Sequence, residues 1–98
     1  MLRLKALTAA LLVAASPLWA VTLGDDGLHK PDWLHETFKD LREDLTEANA
    51  AGKRLLLIVE QRGCIYCTKM HEEVFPDPAI DALIRENYFV VQINLFGD

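Results

Sequence analysis

The chain has 98 residues, 51% of them hydrophobic and 26% charged, which is enough for one small domain at most. With 15 acidic and 10 basic residues the formal net charge is −5, and the basic residues form no cluster. The acidic balance argues against nucleic acids and anionic membrane surfaces as partners.

Residues 1–20 have the pattern of a secretory signal peptide. Arg3 and Lys5 form a basic start, residues 6–15 form an apolar stretch too short to span a bilayer, and Pro17 interrupts it before Ala20. The alternatives are an uncleaved membrane anchor and a buried core helix. The basic start, the apolar length and the proline together favour export, so we expect no stable membrane association after cleavage.

Residues 21–30 are polar and contain two glycines, which is typical of a flexible lead-in. A helix is predicted from Pro31 and Asp32, because proline is tolerated in a first helical turn and aspartate suits its positive end. Apolar residues at steps of three and four form one helical stripe, namely Leu34, Phe38, Leu41, Leu45 and Ala48. Gly52 is a natural end for this helix.

The rest of the chain predicts strand, helix, helix and strand. The unbroken apolar run at 55–59 indicates a strand buried on both faces by helices, as in a parallel sheet. After the cysteines a helix is predicted to end at residues 75–76. Asp77 and Pro78 start the next helix, and its expected buried residues are Ile80, Leu83 and Ile84. Residues 88–96 alternate as a strand, so the order predicts an α/β protein with a parallel β-α-β core.

The only two cysteines, Cys64 and Cys67, form a C-x-x-C motif between the first strand and the following helix. A thiol attacks as its thiolate, which a helix N-terminus stabilises. Cys64, where the helix begins, is therefore the candidate nucleophile, exposed and attacking. Cys67, predicted to be more buried, resolves the mixed disulfide formed at Cys64. Arg62 and Lys69 either stabilise the thiolate further or are solvated surface charges.

Three functions are compatible with this cysteine pair. Thiol–disulfide exchange, which needs no cofactor, is favoured by the flanking β-α-β pattern. Binding of Cu(I) is the second, because thiolates with Met70 or His71 are soft or borderline ligands, whereas a zinc site lacks its second cysteine pair. A structural disulfide is the third, although a loop with two intervening residues gives little stabilisation.

Four further side chains are candidates for the site or its surroundings. Glu60 ends the first strand on the same face as Ile58, so it is either an acid–base group near Cys67 or an exposed carboxylate. His71 either touches the Cys67 sulfur or lies on the surface. Trp33 is predicted to belong to the core or to line a groove. Tyr66, between the cysteines, is predicted to be exposed and to shape contacts with partners.

The run KRLLLIVEQRGCIYCTKMH at residues 53–71 resembles the thioredoxin-like superfamily and, within it, the exported SoxW-type thioredoxin-like proteins of bacteria. The stretches PDWL at 31–34 and VQINLFGD at 91–98 are similar to that group as well. The resemblance implies a three-layer α/β/α thioredoxin fold and a dithiol–disulfide pair at Cys64 and Cys67. It also implies work in the periplasm on protein or small thiols, with a further partner that recycles the pair.

Two features depart from the family pattern. Many thioredoxins carry a buried acid six residues before the first cysteine, where this chain has Ile58, and Glu60 is a possible substitute. The family's cis-proline loop, two antiparallel strands and last helix have no counterpart, since none of the four prolines follows Pro78. We therefore expect residues 31–98 to be only the N-terminal part of a thioredoxin-like domain, with an open apolar sheet edge. An inactive truncated fragment is accordingly a further alternative.

Overall fold

The computed structural model describes residues 22–97. In chain order the elements are α1 (Leu41–Ala50), β1 (Arg54–Glu60), α2 (Ile65–Lys69), a π-helical turn (Met70–Val74), α3 (Pro78–Asn87) and β2 (Tyr88–Asn94). The predicted signal peptide at 1–20 lies outside the described residues. Within residues 22–97, no helix combines the length and the apolar character that crossing a membrane requires.

The two strands pair in parallel and form the middle of three layers. The register runs from Arg54 opposite Tyr88 to Glu60 opposite Asn94. On one face, Ala48 of α1 packs against Phe89 and Val91. On the other face, Ile84 of α3 packs against Val90 and Trp33. Adjacent strand residues point to opposite faces, so β2 contributes to both cores, and the predicted α/β class with a parallel β-α-β core is confirmed.

The first helix begins only at Leu41, so the prediction of a helix from Pro31 is wrong. The backbone around Leu34 is extended and pairs with β2 through a parallel bridge to Val90 and a 2.8 Å bond from the His35 N–H to the Val90 carbonyl. Asp40 is the actual N-cap, since its side chain accepts the N–H groups of residues 42 and 43. Pairing with a buried strand outweighs the helical spacing of the apolar residues here.

Two members of the predicted helical stripe consequently lie outside the helix. Leu34 is half-buried against the core formed by Trp33, Ile84 and Val90. Phe38 is fully exposed. Lys39, just before the N-cap, has a left-handed backbone with φ of 62°, which breaks any continuous helical path from residue 31.

The prediction that β1 is buried on both faces is also wrong. Leu56, Leu57 and Val59 are 37–56% exposed, whereas the four residues 89–92 of β2 are buried. Within residues 22–97 the sheet has two strands only, so one edge of β1 has no strand beside it. The apolar run at 55–59 therefore belongs to a strand that has β2 along one edge and no strand along the other within residues 22–97.

Helix α3 confirms its predicted start and corrects its predicted buried face. Asp77 accepts the N–H groups of residues 79 and 80, and Pro78 is the first helical residue. Ile84 is buried and Ile80 is half-buried, but Leu83 is 54% exposed. Leu83 lies at the side of the stripe that residues 80 and 84 form at a spacing of four.

Residues 22–30, predicted as a flexible lead-in, form a loop closed by an antiparallel bridge between Leu23 and His29. We call residues 22–30 the N-terminal loop. Asp26 accepts the Leu28 N–H at 3.0 Å, and the Leu28 side chain is 3% exposed. The N-terminal loop thus buries the side chain of Leu28, and it lies next to the cysteine motif.

Candidate functional site

The two cysteines meet at the start of the helix that follows β1. Cys64 is the N-cap of α2 and is disulfide-bonded to Cys67, with 5.2 Å between the two Cα atoms. The Cys67 N–H donates a hydrogen bond to the Cys64 sulfur at 3.0 Å. This is the oxidised form of the pair. Both residues are half-buried, so the expected contrast between an exposed Cys64 and a more buried Cys67 is not found.

The turn before the motif places Cys64 at the N-terminus of α2. Gly63 has a φ of 77°, a backbone conformation that favours glycine, and no other atom lies where its Cβ would be. The Cys64 N–H then closes onto the Gln61 carbonyl at 3.3 Å, and the Cys64 carbonyl accepts both the N–H and the hydroxyl of Thr68. The strand therefore passes into the helix within one turn, with Cys64 at the junction.

Of the basic and aromatic residues beside the motif, Arg62 contacts the N-terminal loop, whereas Lys69 and Tyr66 face solvent. Arg62 donates to the backbone carbonyls of Asp25 and Asp26, so it holds the N-terminal loop against the motif. Lys69 is exposed. Tyr66 is 73% exposed, as predicted, and its neighbour Ile65 is 66% exposed. The surface next to the disulfide thus presents two large side chains to solvent.

Glu60 is buried, so its interpretation as an exposed carboxylate is wrong. Its side chain is 5% exposed. One carboxylate oxygen lies 2.6 Å from Nε2 of His71, and the other accepts a hydrogen bond from Nε2 of Gln92, also at 2.6 Å. Both oxygens are therefore engaged, which a carboxylate needs when it is removed from water.

The prediction that His71 lies on the surface is wrong, since its ring is fully buried and bonded to Glu60. The ring stacks on His29, with 5.0 Å between centroids, and meets Phe75 edge-on. Trp33, confirmed as a core residue at 8% exposure, stacks on the same ring at 6.5 Å. The buried Nδ1 atom has no hydrogen-bond partner among the described residues.

The unpartnered Nδ1 indicates which nitrogen of His71 carries the proton. A hydrogen on Nδ1 would be a buried donor without an acceptor, which is costly. A hydrogen on Nε2 instead donates to Glu60 and leaves Nδ1 as a bare acceptor. The arrangement therefore fits a His71 ring whose Nε2–H donates to Glu60.

A hydrogen-bond chain continues from Glu60 to the N-terminal loop. The Gln92 amide donates to Glu60 and to the His29 carbonyl, while its oxygen accepts from Nζ of Lys30 at 2.6 Å. Lys30 also pairs with Asp26 at 2.9 Å. Burial alone would raise the pKa of Asp26, but the hydrogen bonds from Lys30 and Leu28 and the positive charge of Lys30 outweigh it and lower that pKa.

A small cleft brings the disulfide and Glu60 together. It is lined by Gly27, Leu28, His29, Glu60, Gln61, Gly63, Cys64, Cys67 and Thr68. Its volume is about 20 Å³, which is room for about one water molecule. The N-terminal loop forms one wall, and the end of β1 and the start of α2 form the others. Glu60, Cys64 and Cys67 therefore line one confined space.

The sequence pattern of the thioredoxin-like domain family matches residues 41–98, which is more than half of the chain. The chain belongs to this family. Comparison with curated proteins finds no match, and comparison with solved structures finds none either. The matched residues of the thioredoxin-like domain include both cysteines, Glu60, His71 and Gln92. Trp33 and the N-terminal loop precede the matched residues. Part of the hydrophobic core and one wall of the cleft therefore come from residues outside the family match.

The Cu(I) alternative finds no support in the site of this thioredoxin-like domain. His71 is engaged with Glu60 rather than with the cysteines, and Met70 is 40% exposed. In the part of the chain that the structure describes, no group of three or more His, Cys, Asp or Glu side chains is placed to hold a metal ion.

Sequence reasoning missed Gln92 and Lys30. Gln92 is a single polar residue inside the apolar run of β2, and that interruption was the available signal. Lys30 carried none, because its contact with Gln92 joins residues 62 positions apart. The residues predicted at the site, Cys64, Cys67 and Glu60, do come together in the cleft.

Proposed function

We propose that this protein is an exported thiol–disulfide oxidoreductase that exchanges disulfides with protein or small-thiol partners through Cys64 and Cys67. The observation that carries this proposal is the disulfide at the N-terminus of a helix in a thioredoxin-like domain. Disulfide exchange needs an attacking thiolate and a second thiol within reach of the mixed disulfide. The 5.2 Å between the Cα atoms of the pair meets the second requirement.

Cys64 is the attacking residue. As the N-cap it lies at the end of the helix where N–H groups have no helical partner. The Cys67 N–H that now donates to its sulfur can donate to the thiolate in the reduced form. The thiolate attacks one sulfur of a partner disulfide, the partner's other sulfur leaves as a thiolate, and a mixed disulfide remains on Cys64.

Cys67 then resolves the mixed disulfide, and Glu60 is the proton acceptor for this step. The Cys67 thiol must lose a proton before it attacks the Cys64 sulfur. A water molecule in the cleft would pass that proton to Glu60, a buried residue that lines the same cleft. The second partner sulfur leaves as a thiolate, two electrons have passed to the partner, and the Cys64–Cys67 disulfide is restored.

The sequence supports the proposed location and partners. Residues 1–20 support export, and the resemblance at 31–34, 53–71 and 91–98 supports a periplasmic protein of the SoxW type. A second redox partner recycles the pair after each turnover. The exposed side chains of Ile65 and Tyr66 beside the disulfide suit apolar contact with a protein partner.

The test is disulfide exchange by the wild type and two single variants. We expect Cys64→Ser to abolish reduction of insulin disulfides. Cys67→Ser should accumulate mixed disulfides, visible on non-reducing gels and reversed by dithiothreitol. The exposed Met70 gives a matched control, since Met70→Leu leaves both thiols in place. Full insulin reduction by both cysteine variants would contradict the proposal.

A further inference from the structure

We propose that Lys30, in the N-terminal loop, is a positioning residue for disulfide exchange: through the amide of Gln92 it holds Glu60 as the carboxylate that receives the Cys67 proton. This inference rests on the proposed function. It concerns a residue that precedes the part of the chain matched by the family, residues 41–98.

The geometry places a permanent cation at the end of a short relay. Nζ of Lys30 lies 2.6 Å from Oε1 of Gln92, and Nε2 of the same amide lies 2.6 Å from Oε1 of Glu60. Hydrogen bonds in series polarise one another, so an ammonium on the carbonyl side makes the amide N–H a stronger donor. The positive charge of Lys30 thereby acts on Glu60 without touching it.

Burial makes that charge matter. Glu60 is 5% exposed, and a buried carboxylate is costly unless hydrogen-bond donors and positive charge compensate it. His71 supplies one hydrogen bond to one carboxylate oxygen, and Gln92 supplies the other. Lys30 is the cation in this chain of hydrogen bonds, and Asp26 is the carboxylate that holds it. Without Lys30 the Gln92 amide loses the donor that fixes it, so Glu60 is held less firmly as the acceptor for the Cys67 proton.

The N-terminal loop is built to hold Lys30 in this position. Asp26 binds the ammonium at 2.9 Å, and the Lys30 side chain is 28% exposed. Arg62, two residues before Cys64, binds the Asp25 and Asp26 carbonyls. Gly27 lies against Arg62, and a Cβ at Gly27 would come within 2.6 Å of the Arg62 Nε. The loop is thus fixed to the motif itself as well as to the sheet.

The experiment separates the attack by Cys64 from the resolution by Cys67. The reduced full mature chain is mixed with the chromogenic disulfide dithiobis-nitrobenzoate in a stopped-flow instrument. Attack by Cys64 releases one coloured thiolate in a phase whose rate depends on reagent concentration. Attack by Cys67 then releases the second thiolate in a phase that does not. Two electrons pass from the dithiol to the reagent, and the proton of Cys67 passes to Glu60.

We expect Lys30→Met to slow the second phase about tenfold and to leave the first phase within about twofold, because proton transfer by a placed group contributes at least that much. Lys30→Arg should restore the second phase, since it keeps the charge. Lys53→Met is the matched control: it removes one positive charge roughly 20 Å from Glu60, at the other end of β1, and should leave both phases unchanged.

A double-variant cycle distinguishes this role from a structural one. Glu60→Gln should slow the second phase, and adding Lys30→Met to Glu60→Gln should then have no further effect. If Lys30→Met slows the second phase equally with and without Glu60, the loop acts by shape and the proposal is wrong. An unslowed second phase in Lys30→Met also overturns it. Where circular dichroism shows that Lys30→Met unfolds, Lys30→Gln replaces it with the same expected results.

The proposed function fails by a different result. If both thiolates of the wild type are released at rates that depend on reagent concentration, each cysteine reacts with the reagent independently, and Cys64 and Cys67 do not act as an exchange pair. If the wild type shows both phases and Lys30→Met changes neither, the exchange function stands and only the role of Lys30 is refuted.

Discussion

Replacing His71 with leucine tests the buried arrangement around Glu60 most directly. The two side chains have similar volumes, so the change removes the ring nitrogens without leaving a large cavity. Glu60 then keeps only the Gln92 donor for its buried carboxylate. Loss of a hydrogen bond to a charged group costs about 1.5–3 kcal/mol, and loss of the stacked ring costs about 0.5–1.5 kcal/mol. We therefore expect a loss of about 3 kcal/mol in the free energy of unfolding.

The measurement is urea unfolding of the oxidised protein, followed by circular dichroism so that the disulfide stays closed. With a slope of about 1–1.5 kcal/mol/M, which is typical of a small domain, the midpoint should fall by about 2 M or more. Met70→Leu, at the neighbouring and 40% exposed position, is the control. It should change the free energy of unfolding by less than about 0.5 kcal/mol.

The double variant Glu60→Leu/His71→Leu shows whether the stability lost in His71→Leu comes from the Glu60 carboxylate that no longer has its His71 donor. With both members gone no charge is left without its donor, and Gln92 keeps its bond to the His29 carbonyl. The double variant should therefore be more stable than His71→Leu by at least about 1.5 kcal/mol. A single-variant cost below about 1 kcal/mol, or strictly additive costs, would refute our account of the pair.

Three further predictions follow from the fold. Trp33→Ala should cost about 3–4 kcal/mol, because the ring packs against Ile84 in the core; an unchanged thermal midpoint would show that residues before 41 do not contribute to folding. Asp40→Ala should cost about 1 kcal/mol by removing the N-cap of α1, lowering the melting temperature by about 4–8 °C, and no change would place the helix start elsewhere. The lowered pKa of Asp26 stabilises the fold above the ordinary pKa of 3.8, and that stability is lost as the pH falls through the lower value in the folded state. As the pH is lowered, the free energy of unfolding should therefore decline less steeply in Asp26→Asn than in the wild type. Equal slopes in the two proteins would contradict the role of the Lys30 contact.

Local chemistry explains which parts of the fold were predictable from the sequence. The apolar run before the cysteines, the Asp77–Pro78 start of α3 and the alternation in β2 each report on neighbours within a few residues. All three gave elements that the structure contains. The placement of Cys64 at a helix start followed from the same local pattern. In each case the residue types and their spacing determine the conformation without help from distant parts of the chain.

The features that were mispredicted depend on distant contacts. Residues 33–35 have helical spacing but are drawn into pairing with Val90, more than fifty positions away, which no local pattern records. The position of His71 four residues after Cys67 does not show which way its side chain points. Its hydrogen bond to Glu60 of β1 sets the orientation of the ring. The relay from Lys30 to Gln92 joins the first and the last described segments of the chain. Tertiary pairing outweighed local preference at all three places.

The π-helical turn at Met70–Val74 accommodates one extra residue between the cysteines and α3. Here the Phe75 N–H bonds the Met70 carbonyl, five residues back, at 2.8 Å. Such a turn holds one residue more than an α-helical turn. Deleting a single residue there would restore an α-helical turn and leave the later side chains at nearly the same angle about the axis. Phe75 would then keep its approach to the His71 ring, which it now meets edge-on. A single-residue deletion in this turn should therefore be tolerated better than one within α3, where it would rotate every later side chain by about 100°.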